Sequence, residues 1–234
     1  MMKKIFALLL MVMAVFGVNA ADVNTYRLEI KDFIELEVVD DLNVVYRCNA
    51  DSAGFAVFTC APDIVPGVMF SNNKNKLKIM HNNDTDISVN ALPVITVYSN
   101  FIQSAVNCGK GTLTVESPAP GSLFKARVIG NGTLVATEIH ATQVEGNLDT
   151  GKGCLILDGV TRVVKLKNIG TGTIEAMNLQ AETGTVTILG TGPVECNVTS
   201  QLTVNGMGTG KVSVKGNPEI KKRTLGSIAI ENVE

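Results

Sequence analysis

Gly170-Thr171-Gly172-Thr173-Ile174-Glu175-Ala176 joins a glycine–x–glycine triplet to a short run of period-two alternation, and the chain returns to this arrangement again and again. The other triplets are Gly109-Lys110-Gly111, Gly130-Asn131-Gly132, Gly151-Lys152-Gly153, Gly190-Thr191-Gly192 and Gly208-Thr209-Gly210. First-glycine spacings of 21, 21, 19, 20 and 18 residues set a period of about 20, and self-similarity at such a period marks a repeat architecture. Each triplet leads into an alternating segment, which predicts strands with one face inward. The predicted inward set is Leu113/Val115, Leu134/Ala136, Leu155/Leu157, Ile174/Ala176, Val194/Cys196 and Val212/Val214.

One such strand cannot bury its apolar face alone, but stacked copies can. Glycines at one phase of every repeat predict a corner that needs positive φ or leaves no room for a side chain. At roughly 3.3 Å per residue, a repeat is long enough for one closed turn of a few short strands, and turns stack at roughly 4.8 Å. The expectation is an all-β parallel β-helix, or β-solenoid, over residues 94–234. A propeller needs repeats of about 40 residues, and a leucine-rich horseshoe needs a Leu-x-x-Leu-x-Leu signature that is missing here.

Outward from the repeats, residues 1–20 read as a secretory signal peptide. Lys3 and Lys4 start it, Ile5 to Val18 is its apolar core, and Val18-Asn19-Ala20 precedes a cut at Ala20/Ala21. The apolar run is short for a bilayer span. The first cysteine is Cys48, well past that cut, so a lipid anchor is not expected. Removing Lys3 and Lys4 leaves 18 basic against 22 acidic residues, a net charge of −4. That balance argues against nucleic acid or an anionic membrane as the main partner. Neither membrane insertion nor a cofactor is expected.

Residues 21–93 lack the glycine period, yet Tyr26 to Ile30, Ile34 to Val38, Leu42 to Tyr46 and Leu77 to Met80 alternate. This region reads as a strand-rich N-terminal cap or subdomain, and a cap continuous with the solenoid is favoured because an open sheet edge has to be closed. In an exported chain Cys48 and Cys60 are candidates for a disulfide. Cys196 falls on the inward phase as a small hydrophobe, and Cys108 and Cys154 sit beside glycine corners.

Lys31-Asp32-Phe33 and the strand after it, the serial Gly-x-Gly corners, the ending Gly206-Met207-Gly208-Thr209-Gly210-Lys211-Val212-Ser213-Val214-Lys215-Gly216-Asn217-Pro218, and the later Gly226-Ser227 carry a resemblance. Together they resemble the exported bacterial family of auto-transporter adhesin head GIN domains, common in Bacteroidetes. That family usually shows Gly-Ser-Gly corners, whereas Lys, Asn or Thr stands in the middle here. The resemblance implies a β-helical envelope protein with an adhesive role, and says nothing about chemistry.

No residue cluster signals catalysis. Glycoside hydrolysis needs two carboxylates roughly 5–10 Å apart; the acids of the repeats are scattered, though Glu175 and Glu195 share a repeat phase. Asp40-Asp41 and Asp84/Asp86 read as turn formers. His81 and His140 are the only histidines, no serine or cysteine lies in a nucleophile elbow, and no Cys-x-x-Cys pair offers a zinc site. The calcium nonapeptide is absent, and Gly206 to Lys211 lacks phosphate-loop spacing. Thr-x-Thr pairs at 112/114, 171/173 and 185/187 do not persist through consecutive repeats, which argues against an ice-binding face. The residues point to an exported, non-enzymatic β-solenoid that presents a surface to an envelope or host protein or glycan. A carbohydrate-active enzyme using Glu175/Glu195 and a self-assembling structural protein, hence a homo-oligomer, stay open as alternatives.

Overall fold

The computed structural model describes residues 23–233; the segment expected to be a signal peptide, residues 1–20, lies outside them. These residues form a β-solenoid with a spacing of about 20 residues, without α-helix. The N-terminal strands are β1 (Asn24–Glu29), β2 (Glu35–Val38), β3 (Val44–Cys48), β4 (Phe55–Cys60), β5 (Val68–Asn73), β6 (Lys76–His81) and β7 (Ile95–Ser99). Then come β8 (Ser104–Asn107), β9 (Thr112–Glu116), β10 (Gly121–Val128), β11 (Thr133–Leu148), β12 (Cys154–Asn168), β13 (Thr173–Ile188), β14 (Val194–Gly208), β15 (Lys211–Lys215), β16 (Glu219–Gly226) and β17 (Ala229–Val233).

Two ladders run the length of the molecule on either side of one core. The first stacks β5, β6, β2, β8 and β10, then the second halves of β11 to β14, then β16. The second stacks β1, β4, β7, β3 and β9, then the first halves of β11 to β14, then β15 and β17. Pairing is parallel except at the N-terminal end, where β1–β4, β4–β7 and β5–β6 are antiparallel.

Stack order departs from chain order once. The coil β6–β7 lies on one side of β2–β3 and the coil β8–β9 on the other, so β2–β3 is sandwiched between two later segments. Residues before 94 therefore supply solenoid coils as well as antiparallel covering strands. Asp40 and Asp41 form the corner between β2 and β3, with Asp40 at φ 65. Asp41 accepts from the Lys110 backbone N–H at 3.0 Å, and the corner at Gly109–Gly111 stacks on it.

All twelve predicted inward residues are buried. Leu113, Leu134, Leu155, Ile174, Val194 and Val212 form one continuous column, register neighbour on register neighbour. Full burial of one such side chain contributes about 1.5–3 kcal/mol, and each column member also excludes water from the next. The aromatic residues gather at the N-terminal end, where Tyr26, Phe58 and Phe70 stack and Phe33 meets Tyr46 edge-on. No aromatic residue follows Phe124.

The corner glycines answer mostly to space. Of the twelve expected at corners, only Gly130 and Gly151 have φ in the left-handed region. At Gly109, Gly111, Gly132, Gly153, Gly170, Gly172, Gly190, Gly192, Gly208 and Gly210 the backbone of the neighbouring coil lies where a Cβ would stand. A Cβ on Gly170, for instance, would fall 2.6 Å from the Gly151 carbonyl oxygen. Corner backbones also bond to one another: Gly153 N–H donates to Gly130 O at 3.0 Å and Gly172 N–H to Gly151 O at 3.1 Å.

The disulfide expected between Cys48 and Cys60 is not formed; both thiols are free. Cys48 lies opposite Ser99 on β7, while β4 pairs with the other edge of β7. Phe55 meets Tyr98, so Cys60 sits at the far end of an antiparallel strand. Two strand spacings alone, about 9.6 Å, exceed the roughly 7 Å Cα limit for a bridge.

Candidate binding surface

The outer side of each ladder has its own chemistry. On the first, two columns run along the stack. One contains Lys78, Glu37, Val106, Arg127, Asn147, Lys167, Thr187, Asn205 and Arg223, the other Lys76, Glu35, Ser104, Lys125, Glu145, Lys165, Thr185, Thr203 and Lys221. The excess is basic. Lys76 and Lys78 both pair with Glu37, Lys125 and Lys165 share Glu145 at 3.7 and 3.9 Å, and Arg127 pairs with Asp149. Burial opposes ionisation of Glu37, but Lys76 and Lys78 outweigh it and hold its carboxyl below the ordinary range. A shallow depression of about 220 Å³ lies between Glu145, Lys165, Lys167, Thr185 and Thr187.

The second ladder carries more carboxylates, though Arg47 pairs there with Glu116 and Lys211 with Glu231, both at 2.7 Å. Ile156, Glu175, Glu195, Ser213 and Glu231 follow one another in register. Glu175 and Glu195 are adjacent on consecutive coils, as their shared phase implies. Glu175 accepts a weak bond from Cys154 Sγ at 3.5 Å, and burial together with this carboxylate pushes the Cys154 thiol up to about 11. The pair stands on an open strand face. His140 is elsewhere, beside a depression of about 620 Å³ that also touches Arg162 and Glu182. His81 is tied into its own loop, with Nε2 2.8 Å from the Ile87 carbonyl and Nδ1 3.1 Å from Asn83. Among the described residues no three metal-ligating side chains come together, and no helix is long and apolar enough to cross a membrane. The threonine column Thr112, Thr133, Thr173 is interrupted by Cys154.

The glycine edge is the third element. Because the corners carry no side chains, a shallow depression of about 790 Å³ opens along Asn131, Asp149, Lys152, Ile169, Thr171 and Thr191. Inside this edge lies a feature that alternation alone did not reveal. Asn107 and Asn168 are fully buried on the inward phase. Asn107 accepts from Gly109 N–H at 3.1 Å and donates to Gly111 O and Thr133 O, both at 2.8 Å. Asn168 repeats this with Gly170 N–H, Gly172 O and Pro193 O at 3.1, 2.9 and 3.3 Å. Each amide satisfies corner backbone groups that would otherwise be buried without partners. The available signal was the spacing Asn-x-Gly-x-Gly, at 107–111 and 168–172.

This fold is shared with solved structures from Bacteroides and Parabacteroides species. A "putative adhesin" from Bacteroides fragilis superposes with a TM-score of 0.79 at 19% identity, covering 92% of this chain and 98% of the other. A "putative lipid binding protein" from Parabacteroides distasonis gives 0.72 at 20% identity, over 91% and 97%. A second P. distasonis protein, also described as a "putative adhesin", gives 0.68 at 18%, over 91% and 98%. No curated protein matches the chain in sequence. The model of the family described as "Putative auto-transporter adhesin, head GIN domain" matches residues 32–218, from just before β2 to just after β15. The chain belongs to that family.

Proposed function

We propose that this chain is an exported cell-envelope solenoid that acts as a binding protein, an adhesin without catalytic activity, in the periplasm, at the cell surface or outside. One observation carries the reading: the two outer faces are ladders of Thr, Lys, Asn and Glu, and among the described residues no nucleophile, base and orienting group converge on either. The proteins of the same fold named as adhesins support it, as does the one named for lipid binding. Sugar recognition by ring stacking needs aromatic residues, so a glycan of that kind would be met near the N-terminal end. The test is a screen of the exported protein against glycans and matrix proteins, with product release followed in the same wells. Saturable binding without product is expected; product formation would overturn the reading.

The register of Glu175 and Glu195 keeps one second reading in view, a carbohydrate-active enzyme using that pair. Polysaccharide turnover that vanishes in Glu175→Gln/Glu195→Gln would establish it, and turnover that survives would remove the pair from consideration.

A further inference from the structure

The residue just before each glycine corner forms a row that neither fold nor family explains. Ile169, Leu189, Met207 and Leu225 occupy this position on four consecutive coils; Met207 and Leu225 are direct register partners, and the others follow from the pairs Asn168–Ile188 and Ile188–Gly206. All four are exposed, by 37, 45, 61 and 74% in that order. At roughly 4.8 Å per coil the row is about 14 Å long. Isolated exposed aliphatics are ordinary, but an aligned run marks a contact surface.

Its flanks are specific. Two residues earlier on each coil stand Lys167, Thr187, Asn205 and Arg223, and two further back Lys165, Thr185, Thr203 and Lys221. The register neighbours of Lys167 and Arg223 are Asn147, Thr187 and Asn205, so no carboxylate stands across from either cation. On the other flank lie Thr171, Thr191, Thr209 and Ser227. The carboxylates Glu175, Glu195 and Glu231 are on the opposite ladder. The edge is thus an aliphatic ridge with a cationic bank; the carboxylates near it are Asp149, beside Ile169 on the preceding coil and paired with Arg127, and Glu219, paired with Lys221 at 3.6 Å. A shallow depression of about 440 Å³ between Leu189, Met207, Arg223 and Leu225 borders it.

We infer that this edge docks on an anionic lipid surface, the four aliphatic side chains entering the boundary between headgroups and acyl chains while Lys167, Lys221 and Arg223 meet lipid phosphates. Aliphatics beside long cationic side chains are the composition of interfacial binding elements. Sugar stacking calls for aromatic rings and protein hot spots are enriched in them; this half of the chain has none. The ridge is exposed along its length and only shallowly indented, suited to a soft planar partner. The inference rests on the reading of the chain as an envelope binding protein and names a partner for one edge of it.

The test is co-sedimentation of the exported protein with vesicles of phosphatidylcholine alone and of equimolar phosphatidylcholine and phosphatidylglycerol. Binding to the anionic vesicles, weakened by salt, is expected. The double variants Met207→Gln/Leu225→Gln and Lys167→Gln/Arg223→Gln should each lower partitioning by about tenfold or more, with thermal melting unchanged because these side chains are exposed. No sedimentation with anionic vesicles, or equal sedimentation of the variants, overturns the inference. So does a concentration-dependent oligomer that Met207→Gln/Leu225→Gln abolishes, since a second copy would then cover the ridge. Capture of a glycan or matrix protein without vesicle binding would leave the proposed function standing and remove this inference alone.

Discussion

Gly190 is a glycine because of what lies one coil away: a Cβ there would run into the Gly170 carbonyl and stand 2.6 Å from Ile169 O. Gly190→Val has to push two stacked corners apart, and it should cost roughly 2–4 kcal/mol, seen as a melting temperature lower by about 5–15 °C. Gly130 is the control, with φ 110 and nothing within 4 Å of where a Cβ would stand; Gly130→Ala should cost about 1–2 kcal/mol from backbone strain alone. Asn168 works from inside the same corner. Asn168→Ala strips partners from Gly170 N–H, Gly172 O and Pro193 O, so a loss of about 2–4 kcal/mol is expected in thermal or denaturant unfolding. Burial pushes the Cys196 thiol up to about 12, and it should resist alkylation at neutral pH until the chain unfolds. Oxidation should not join Cys48 to Cys60 in the folded protein, which peptide mapping under non-reducing conditions would check.

Two elements depend on charge in ways their own sequences do not disclose. Strand β2 is inserted between β6 and β8, and Glu37 fastens it to Lys76 and Lys78 of β6. Its carboxyl is held below the ordinary value of 4.5, so the stabilisation is complete above that value and disappears as pH falls through the folded-state value. The pair is partly solvated, which limits the effect to about 1 kcal/mol. Glu37→Gln should therefore be less stable than the native chain at pH 7 and indistinguishable from it near pH 2, by denaturant titration at both pH values. At the other end, Lys222 occupies the inward column behind Val204, where earlier coils carry Val186 and Leu166. Its Nζ reaches the Ile228 carbonyl at 2.7 Å, laying a cation over the end of the core. An inward charge on an edge strand discourages end-to-end pairing. Lys222→Val should promote concentration-dependent association, measurable by sedimentation velocity.

At the scale of the molecule, a repeat period of about 20 residues, the inward columns and the corner positions were all legible from one dimension. Each coil contacts mainly its neighbours, so a local pattern repeated in the chain is repeated in space. The Glu175–Glu195 adjacency followed from the same phase. Non-repetitive contacts were not legible: the insertion of β2–β3 between β6–β7 and β8–β9 depends on pairings between segments tens of residues apart, and the separation of Cys48 from Cys60 depends on β7 passing between them. Net charge behaved similarly. A total of −4 for the chain without its expected leader argued against an anionic surface, but stacking places most of the strand cations on one outer face and many of the carboxylates on the other. By itself, then, the sequence determined the class of fold, its period and the inward residues, because hydrophobic alternation and glycine spacing act over a few residues. Tertiary structure alone decided the order of the coils, the fate of the cysteines and the alignment of Ile169, Leu189, Met207 and Leu225 beside Lys167 and Arg223, because strand register converts distances of about 20 residues along the chain into roughly 4.8 Å across it.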